Sequence, residues 1–109
     1  MPRLFVYGTL LDPGLVARLT RRPARPRPAV LDGFQRVRLR GTPYPTLRRG
    51  QGSVAGALLL ADREAFRRLA AYEGPRYRLT SVRARLAGGT ELVAARAWIA
   101  AGATRLPWP

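Results

Sequence analysis

The chain of 109 residues contains neither histidine nor cysteine, so acid–base chemistry near neutral pH depends on its six carboxylates. A thiolate nucleophile, a Ser-His-Asp triad and zinc sites built from Cys or His are thereby excluded. Carboxylates, hydroxyls, arginines and backbone amides remain for catalysis. We therefore expect any active site to work without a metal ion or a cofactor.

Five of the six acids have a structural explanation in the local sequence. Asp12 and Asp62 each precede a segment with helical periodicity, where helix N-caps occur. Glu64 would lie in a first helical turn, where the helix dipole favours negative charge. Asp32 precedes a glycine and Glu91 follows a turn signal, positions typical of turn residues.

Glu73 is the exception, because it closes a predicted helix just before Gly74 and Pro75. Negative charge at a helix C-terminus is unfavourable by roughly 0.3–1 kcal/mol, so this position tends to raise the pKa of the carboxyl. Burial beside Tyr72 or Tyr77 would raise that pKa further, whereas the arginines that follow would lower it. Glu73 is either a general base or a surface glutamate paired with one of those arginines.

A second candidate lies in the backbone of FVYGTLLDPG, residues 5–14. Gly8 has no side chain and allows a ligand to approach the main chain closely. The amides of Gly8, Thr9 and Leu10 lead towards a helix N-terminus and could cradle a carboxylate or an oxyanion. The alternative interpretation is a glycine turn at the end of a strand.

The net charge of +14 comes from 20 basic residues, all of them arginine. Such a charge attracts polyanions and small acids, especially at low salt. The arginines are scattered, however, and the one dense cluster, RRPARPRP at 21–28, is rich in proline and lacks interleaved aromatics. These features favour a biased composition, with nonspecific nucleic-acid binding at most, over a dedicated nucleic-acid site.

The length of 109 residues predicts a single domain spanning residues 1–109. No apolar run approaches the roughly 18–20 residues that a membrane span needs, and the N-terminus lacks a signal-peptide pattern. We therefore expect a cytoplasmic protein without membrane contact.

The hydrophobic pattern predicts five or six strands and two helices, arranged as an α+β domain. A strongly bent sheet or small barrel with helices outside would hide the edges of so many short strands. Residues 42–52 are predicted as a loop, because Pro43 and Pro45 exclude a central strand. The tail after residue 100 has no clear pattern. Predicted strands cover 3–8, 29–41 with a turn or bulge at Asp32-Gly33, 53–61, 76–87 with a bulge, and 91–100; predicted helices cover 12–20 and 62–74.

The stretch FVYGTLLDPG resembles the YG(S/T)L signature of the gamma-glutamylcyclotransferase-like family, in its AIG2-like branch. The resemblance continues in order, and at suitable spacings, over roughly residues 3–100. The further matching segments are AVLDGFQRVRLRG, PYPTLRRG, GSVAGALLL and LAAYEGPRYRLTSVRA.

The resemblance implies a small mixed β-barrel with flanking helices. It also implies a reaction that converts a γ-glutamyl amine or amide to 5-oxoproline and a free amine. In that case the loop of Tyr7, Gly8, Thr9 and Leu10 would bind the α-carboxylate of the small-molecule substrate. By position in the E-G-x-x-Y motif, Glu73 would be the acid/base and Tyr77 would line the pocket.

The sequence departs from the family pattern at two positions. Many relatives have Asp where Ala70 stands, and a polar residue where Ala57 stands. Because the family includes members without demonstrated activity, a second hypothesis is a non-catalytic module of the same fold that binds a small acid. A third is an arginine-rich nucleic-acid binder. The amine portion of the substrate and the oligomeric state are left open.

Overall fold

The computed structural model describes residues 2–108, which form a closed barrel of strands with two helices packed outside it. A short 3-10 turn, Thr9–Leu11, joins the first strand to the first helix. The elements in chain order are β1 Arg3–Val6, α1 Pro13–Thr20, β2 Arg27–Leu39, β3 Pro45–Leu60, α2 Arg63–Glu73, β4 Tyr77–Leu86, β5 Leu92–Ala100 and β6 Ala103–Pro107.

Five of the strands close the barrel in the order β3-β1-β5-β4-β2, and β2 pairs back onto β3. The sheet is mixed, because β1 pairs parallel with β5 while the other neighbours are antiparallel. β6 pairs with the last residues of β2, beyond the part of β2 that pairs with β4. The predicted α+β barrel with flanking helices is confirmed.

The strand directions give the barrel two distinct ends. β1, β2 and β5 run one way, and β3 and β4 run the other. We call the end where β1 finishes at Val6 the upper end, and the end where β1 begins at Arg3 the lower end. β3 and β4 therefore begin at the upper end, near Pro45 and Tyr77.

β1 is buried on both faces and belongs to two hydrophobic cores. Phe5 and Tyr7 point into the barrel interior, with Leu31, Val54, Ala84 and Ala97 among its other members. Leu4 and Val6 alternate with them and pack in a second layer beneath the helices, with Val16, Leu59, Leu69 and Trp98. Alternation along a strand sends successive side chains to opposite faces, so four residues supply both layers.

Both predicted helix starts are confirmed. The Asp12 carboxylate accepts a hydrogen bond from the amide of Gly14 at 2.9 Å, and the Asp62 carboxylate accepts one from the amide of Ala65 at 2.8 Å. Each bond satisfies an amide that the first helical turn leaves without an intrahelical partner. None of the helices in residues 2–108 has the length and apolar character that a membrane span requires.

The predicted loop over 42–52 is wrong, since β3 begins at Pro45 and continues to Leu60. Pro45 is the first residue of the strand, a position where its missing N–H is tolerated. The bulge predicted in β2 is confirmed, because the β2–β3 register shifts between Asp32 and Phe34. Three residues of β3, 50–52, lie opposite Gly33 there.

The bulge predicted in β4 is wrong, because its pairing with β5 keeps one register from Tyr77 to Arg85. The two faces of β4 are instead buried in different halves of the strand. Tyr77 packs against the helix layer at one end, and Val82 and Ala84 pack in the barrel interior further along. The tail without a clear pattern forms β6 because β2 extends past β4 and offers it an edge.

Gly56 lies where the backbone of β3 approaches the end of β1 so closely that no larger residue fits. A Cβ at this position would lie 2.3 Å from the carbonyl oxygen of Val6 and 2.7 Å from the Phe5 ring. We predict that Gly56→Ala lowers the free energy of unfolding by about 1–3 kcal/mol. Gly89→Ala is the control, because its Cβ would have an ordinary contact of 3.4 Å with Leu86. Equal denaturation midpoints for the two variants would contradict this assignment.

Candidate active site

A cavity of about 40 Å³ opens at the upper end of the barrel, where β1 finishes. This volume holds a few water molecules or a small polar group. The structure brings all six sequence-predicted site residues to this one cavity. Its lining residues are Phe5, Val6, Tyr7, Gly8, Thr9, Leu10, Pro45, Glu73, Tyr77 and Trp98.

Tyr7 anchors the loop that follows β1. Its buried hydroxyl donates a hydrogen bond to the backbone carbonyl of Trp98 on β5. Burial raises the pKa of the phenol well above its ordinary value, and the nearby Tyr77 and Glu73 add to this effect. Tyr7 is therefore a neutral hydrogen-bond donor at physiological pH, and it holds the end of β1 against β5.

Three residues of the loop after Tyr7, Gly8, Thr9 and Leu10, line the cavity. The 3-10 turn closes through the amide of Leu11, which donates to the carbonyl of Gly8 at 3.0 Å. Within residues 2–108, the amides of Gly8, Thr9 and Leu10 donate no hydrogen bond. Unpaired amides at the start of a helical turn are positioned to receive an anion.

Gly8 also keeps space open beside Pro45. A Cβ on Gly8 would lie 3.1 Å from Cγ of Pro45, closer than most real Cβ contacts. Both residues line the cavity. A side chain at position 8 would therefore push on the cavity wall.

Glu73 is the last residue of α2, and its carboxylate lies half-buried at the cavity. The helix ends directly after it, where Gly74 has a φ of 85° and its amide donates to the carbonyl of Ala70 at 3.0 Å. Among residues 2–108 no side chain or amide donates a hydrogen bond to this carboxylate, and none pairs with it as an ion.

Burial raises the pKa of Glu73 to about 7. The alternative of an ion pair with a following arginine is not what the structure shows, because the Arg76 guanidinium instead donates to the carbonyl of Arg40 at 3.2 Å. A carboxyl with this pKa populates both its charged and neutral forms near neutral pH. It can accept a proton in one step and return it in another.

Two tyrosines tie the end of α2 to the rest of the site. Tyr72 donates from its hydroxyl to the hydroxyl of Thr9 at 3.1 Å, which joins α2 to the loop after β1. Tyr77 donates from its hydroxyl to the carbonyl of Pro45 at 2.7 Å, which joins β4 to β3. Burial, followed by the charge of Glu73, raises the pKa of Tyr77, so it too stays neutral.

The sequence did not point to Pro45, Trp98 or Tyr72 as contributors to the site. Pro45 and Trp98 line the cavity, and Tyr72 bonds to Thr9 across 63 positions of sequence. Because Pro45 falls in a predicted loop, no sequence signal places it beside β1. Alternation along β5 is a sequence signal that could have placed Trp98, because it puts this side chain on the face opposite the interior residues Ala95 and Ala97.

The two departures from the family pattern lie outside the cavity lining. Ala70 is exposed one helical turn before Glu73, and Ala57 is buried in the helix layer opposite Val6. Over residues 2–108, no group of three or more acidic side chains is arranged to hold a metal ion. The chemistry available at this site is that of one carboxyl group, hydroxyls and backbone amides.

Comparison with known proteins identifies relatives in sequence and in structure. AIG2-like protein C of Arabidopsis thaliana is 49% identical over 57 residues, which are 51% of this chain and 33% of that protein. A solution structure of another Arabidopsis thaliana protein superposes with a TM-score of 0.81 at 29% identity, covering 92% of this chain and 68% of that one. A solved gamma-glutamyl cyclotransferase has the same fold, with a TM-score of 0.78 at 16% identity over 94% of this chain and 68% of its own.

The chain spans a third or less of the length of the curated relatives it matches. The match to the family model is much more extensive, because it runs over residues 4–107. That range includes every residue that lines the cavity. The chain belongs to the gamma-glutamyl cyclotransferase, AIG2-like family.

Proposed function

We propose that this protein is a cyclotransferase that converts a γ-glutamyl amine or amide to 5-oxoproline and a free amine. The observation that carries the proposal is the unpaired, half-buried carboxyl of Glu73, with a pKa of about 7, in one cavity with three unpaired amides. The family membership and the similarity to a solved gamma-glutamyl cyclotransferase support the reaction class.

Substrate binding would begin with the α-carboxylate of the γ-glutamyl group. The amides of Gly8, Thr9 and Leu10 are donors without partners, and a carboxylate accepts such bonds strongly. Phe5 and Trp98 form apolar walls, and a substrate that displaces water from between them would make these bonds stronger. Held in this way, the substrate chain folds back so that its α-amine approaches its own γ-carbonyl.

The reaction itself is an intramolecular acyl transfer. The α-amine forms a bond to the γ-carbonyl carbon, and ionised Glu73 takes the proton that this nitrogen releases. The tetrahedral intermediate then breaks its bond to the leaving nitrogen, to which Glu73 returns the proton. The products are the five-membered lactam 5-oxoproline and the free amine, and no protein nucleophile is needed.

A non-catalytic module that binds a small acid is the second candidate. The small size of the cavity, about 40 Å³ against the roughly 300–1,000 Å³ of most small-molecule sites, favours it because a small acid needs less space than a γ-glutamyl amine. The two candidates differ in one readout, the release of 5-oxoproline. Binding of 5-oxoproline without turnover of any γ-glutamyl amine would support the module over the enzyme.

Glu73→Gln tests the catalytic role, because the amide has nearly the same shape but cannot accept a proton. We predict a loss of about 10²–10⁴-fold in the rate of 5-oxoproline release from a panel of γ-glutamyl amines. Glu91→Gln is the matched control, since it removes the same charge from an exposed position. Equal rates for wild type and Glu73→Gln would remove Glu73 from the mechanism.

Gly8→Ala tests the amide cradle. The added methyl meets Pro45 at 3.1 Å and shifts the loop against the cavity wall. We predict a rise in KM larger than the fall in kcat, because the change disturbs carboxylate binding before it disturbs the proton transfer. Gly89→Ala leaves the cavity untouched and should keep both constants. An unaltered KM in Gly8→Ala would contradict a role for this loop in binding.

The raised pKa of Glu73 also predicts how stability depends on pH. The folded protein holds this proton up to about pH 7, whereas the unfolded chain loses it near 4.5. The free energy of unfolding of wild type should therefore fall, relative to Glu73→Gln, as the pH rises from about 4.5 to about 7. Urea unfolding of both proteins at several pH values measures this difference. A constant difference across that range would mean that Glu73 has an ordinary pKa.

A further inference from the structure

A second and larger cavity, of about 400 Å³, lies at the lower end of the barrel. Residues at the start of β1, β2 and β5 line it, together with the ends of β3 and β4. The cavity near Glu73 lies where β1 finishes, so the two cavities are at opposite ends of the same barrel. They share no lining residue.

The inner wall of this lower cavity is aliphatic and draws on both hydrophobic cores. Leu58, Leu86 and Val93 come from the barrel interior or pack against it, and Val16 and Leu69 come from the helix layer. Leu60 extends the apolar wall outward and is 64% exposed. A large aliphatic side chain is costly to leave in water, so a ligand with an alkyl chain would gain by covering it.

Arginines surround this apolar wall. The proline-rich segment 21–28 contributes Arg22, Arg25 and Arg27, and β1 contributes Arg3. Asp62 is the acidic residue of the lining. Its carboxylate forms an ion pair with Arg22 at 2.6 Å and accepts a hydrogen bond from the amide of Ala65 in the first turn of α2. Within residues 2–108, Arg3, Arg25 and Arg27 have no acidic partner.

We propose that the lower cavity binds a single-chain amphipathic anion, with its alkyl chain on the aliphatic wall and its carboxylate or phosphate head at Arg3, Arg25 and Arg27. The volume lies within the range of small-molecule sites. Guanidinium groups bind carboxylate and phosphate oxygens through charge-assisted hydrogen bonds. The lining within residues 2–108 includes no aromatic side chain, so it offers no platform for stacking a nucleic-acid base.

Calorimetric titration of the full chain with octanoate and with octyl phosphate tests this proposal. We expect both to bind, and the tighter of the two identifies the head group. Octanol lacks the charge, and acetate and inorganic phosphate lack the chain, so each should bind at least about tenfold more weakly. The proposal would be overturned if octanol or acetate bound as tightly as octanoate. It would also be overturned if neither octanoate nor octyl phosphate bound.

Matched variants locate the site. We expect the double variant Arg25→Gln/Arg27→Gln to weaken octanoate binding about tenfold or more. The control variant Arg40→Gln/Arg105→Gln removes the same charge from two exposed positions, one just after β2 and one on β6. It should leave octanoate binding unchanged. Leu60→Asp should abolish binding by placing a carboxylate on an exposed part of the wall. Thermal unfolding checks that each variant is folded.

Backbone amide NMR spectra separate this site from the one at Glu73. Octanoate should shift the signals of residues near Arg25, Leu60 and Val93. Shifts confined to Thr9, Glu73 and Trp98, or an unchanged affinity in both Arg25→Gln/Arg27→Gln and Leu60→Asp, would contradict a lower site. The proposal does not depend on cyclotransferase activity, so failure of one leaves the other standing.

Discussion

The burial of β1 on both of its faces is the constraint on which the rest of the structure depends. Residues 4–7, the end of β1 and the residue after it, fill the barrel interior on one side and the helix layer on the other, so the strand cannot shift in register without unpacking both cores. The hydrogen bond from the Tyr7 hydroxyl to the carbonyl of Trp98 fixes the end of β1 to β5. The loop with three unpaired amides begins there, and its position follows from that of the strand.

The same packing explains the unusual state of Glu73. α2 packs on the helix layer through Phe66 and Leu69, and this places its last residue at the mouth of the barrel. Tyr72 and Tyr77 then fix the end of the helix to the loop and to β3. A carboxylate that is partly removed from water and has no cationic partner holds its proton more tightly than usual.

The sequence predicts those features of the fold and the site that depend on interactions between residues close together in the chain. The helix caps at Asp12 and Asp62 form because each carboxylate bonds to a nearby backbone amide. The bulge after Asp32 forms at a glycine. The sequence also singled out Glu73, because the absence of histidine and cysteine leaves few groups that can carry a proton. It failed where distant pairing decides: β3 starts at Pro45 because β2 continues alongside, and β4 keeps its register although its buried face changes.

The barrel presents two ends of different character, a small cavity with one carboxyl group above and a larger aliphatic cavity with arginines below. We propose that Glu73 and the α-carboxylate of the substrate share the upper cavity. The most direct measurement is an NMR titration of the side-chain carboxyl carbon of Glu73, with and without 5-oxoproline. We predict a midpoint near 7 in the free protein, and a higher one with 5-oxoproline because a second carboxylate disfavours the charge. A midpoint near 4.5 that 5-oxoproline does not move would contradict the account.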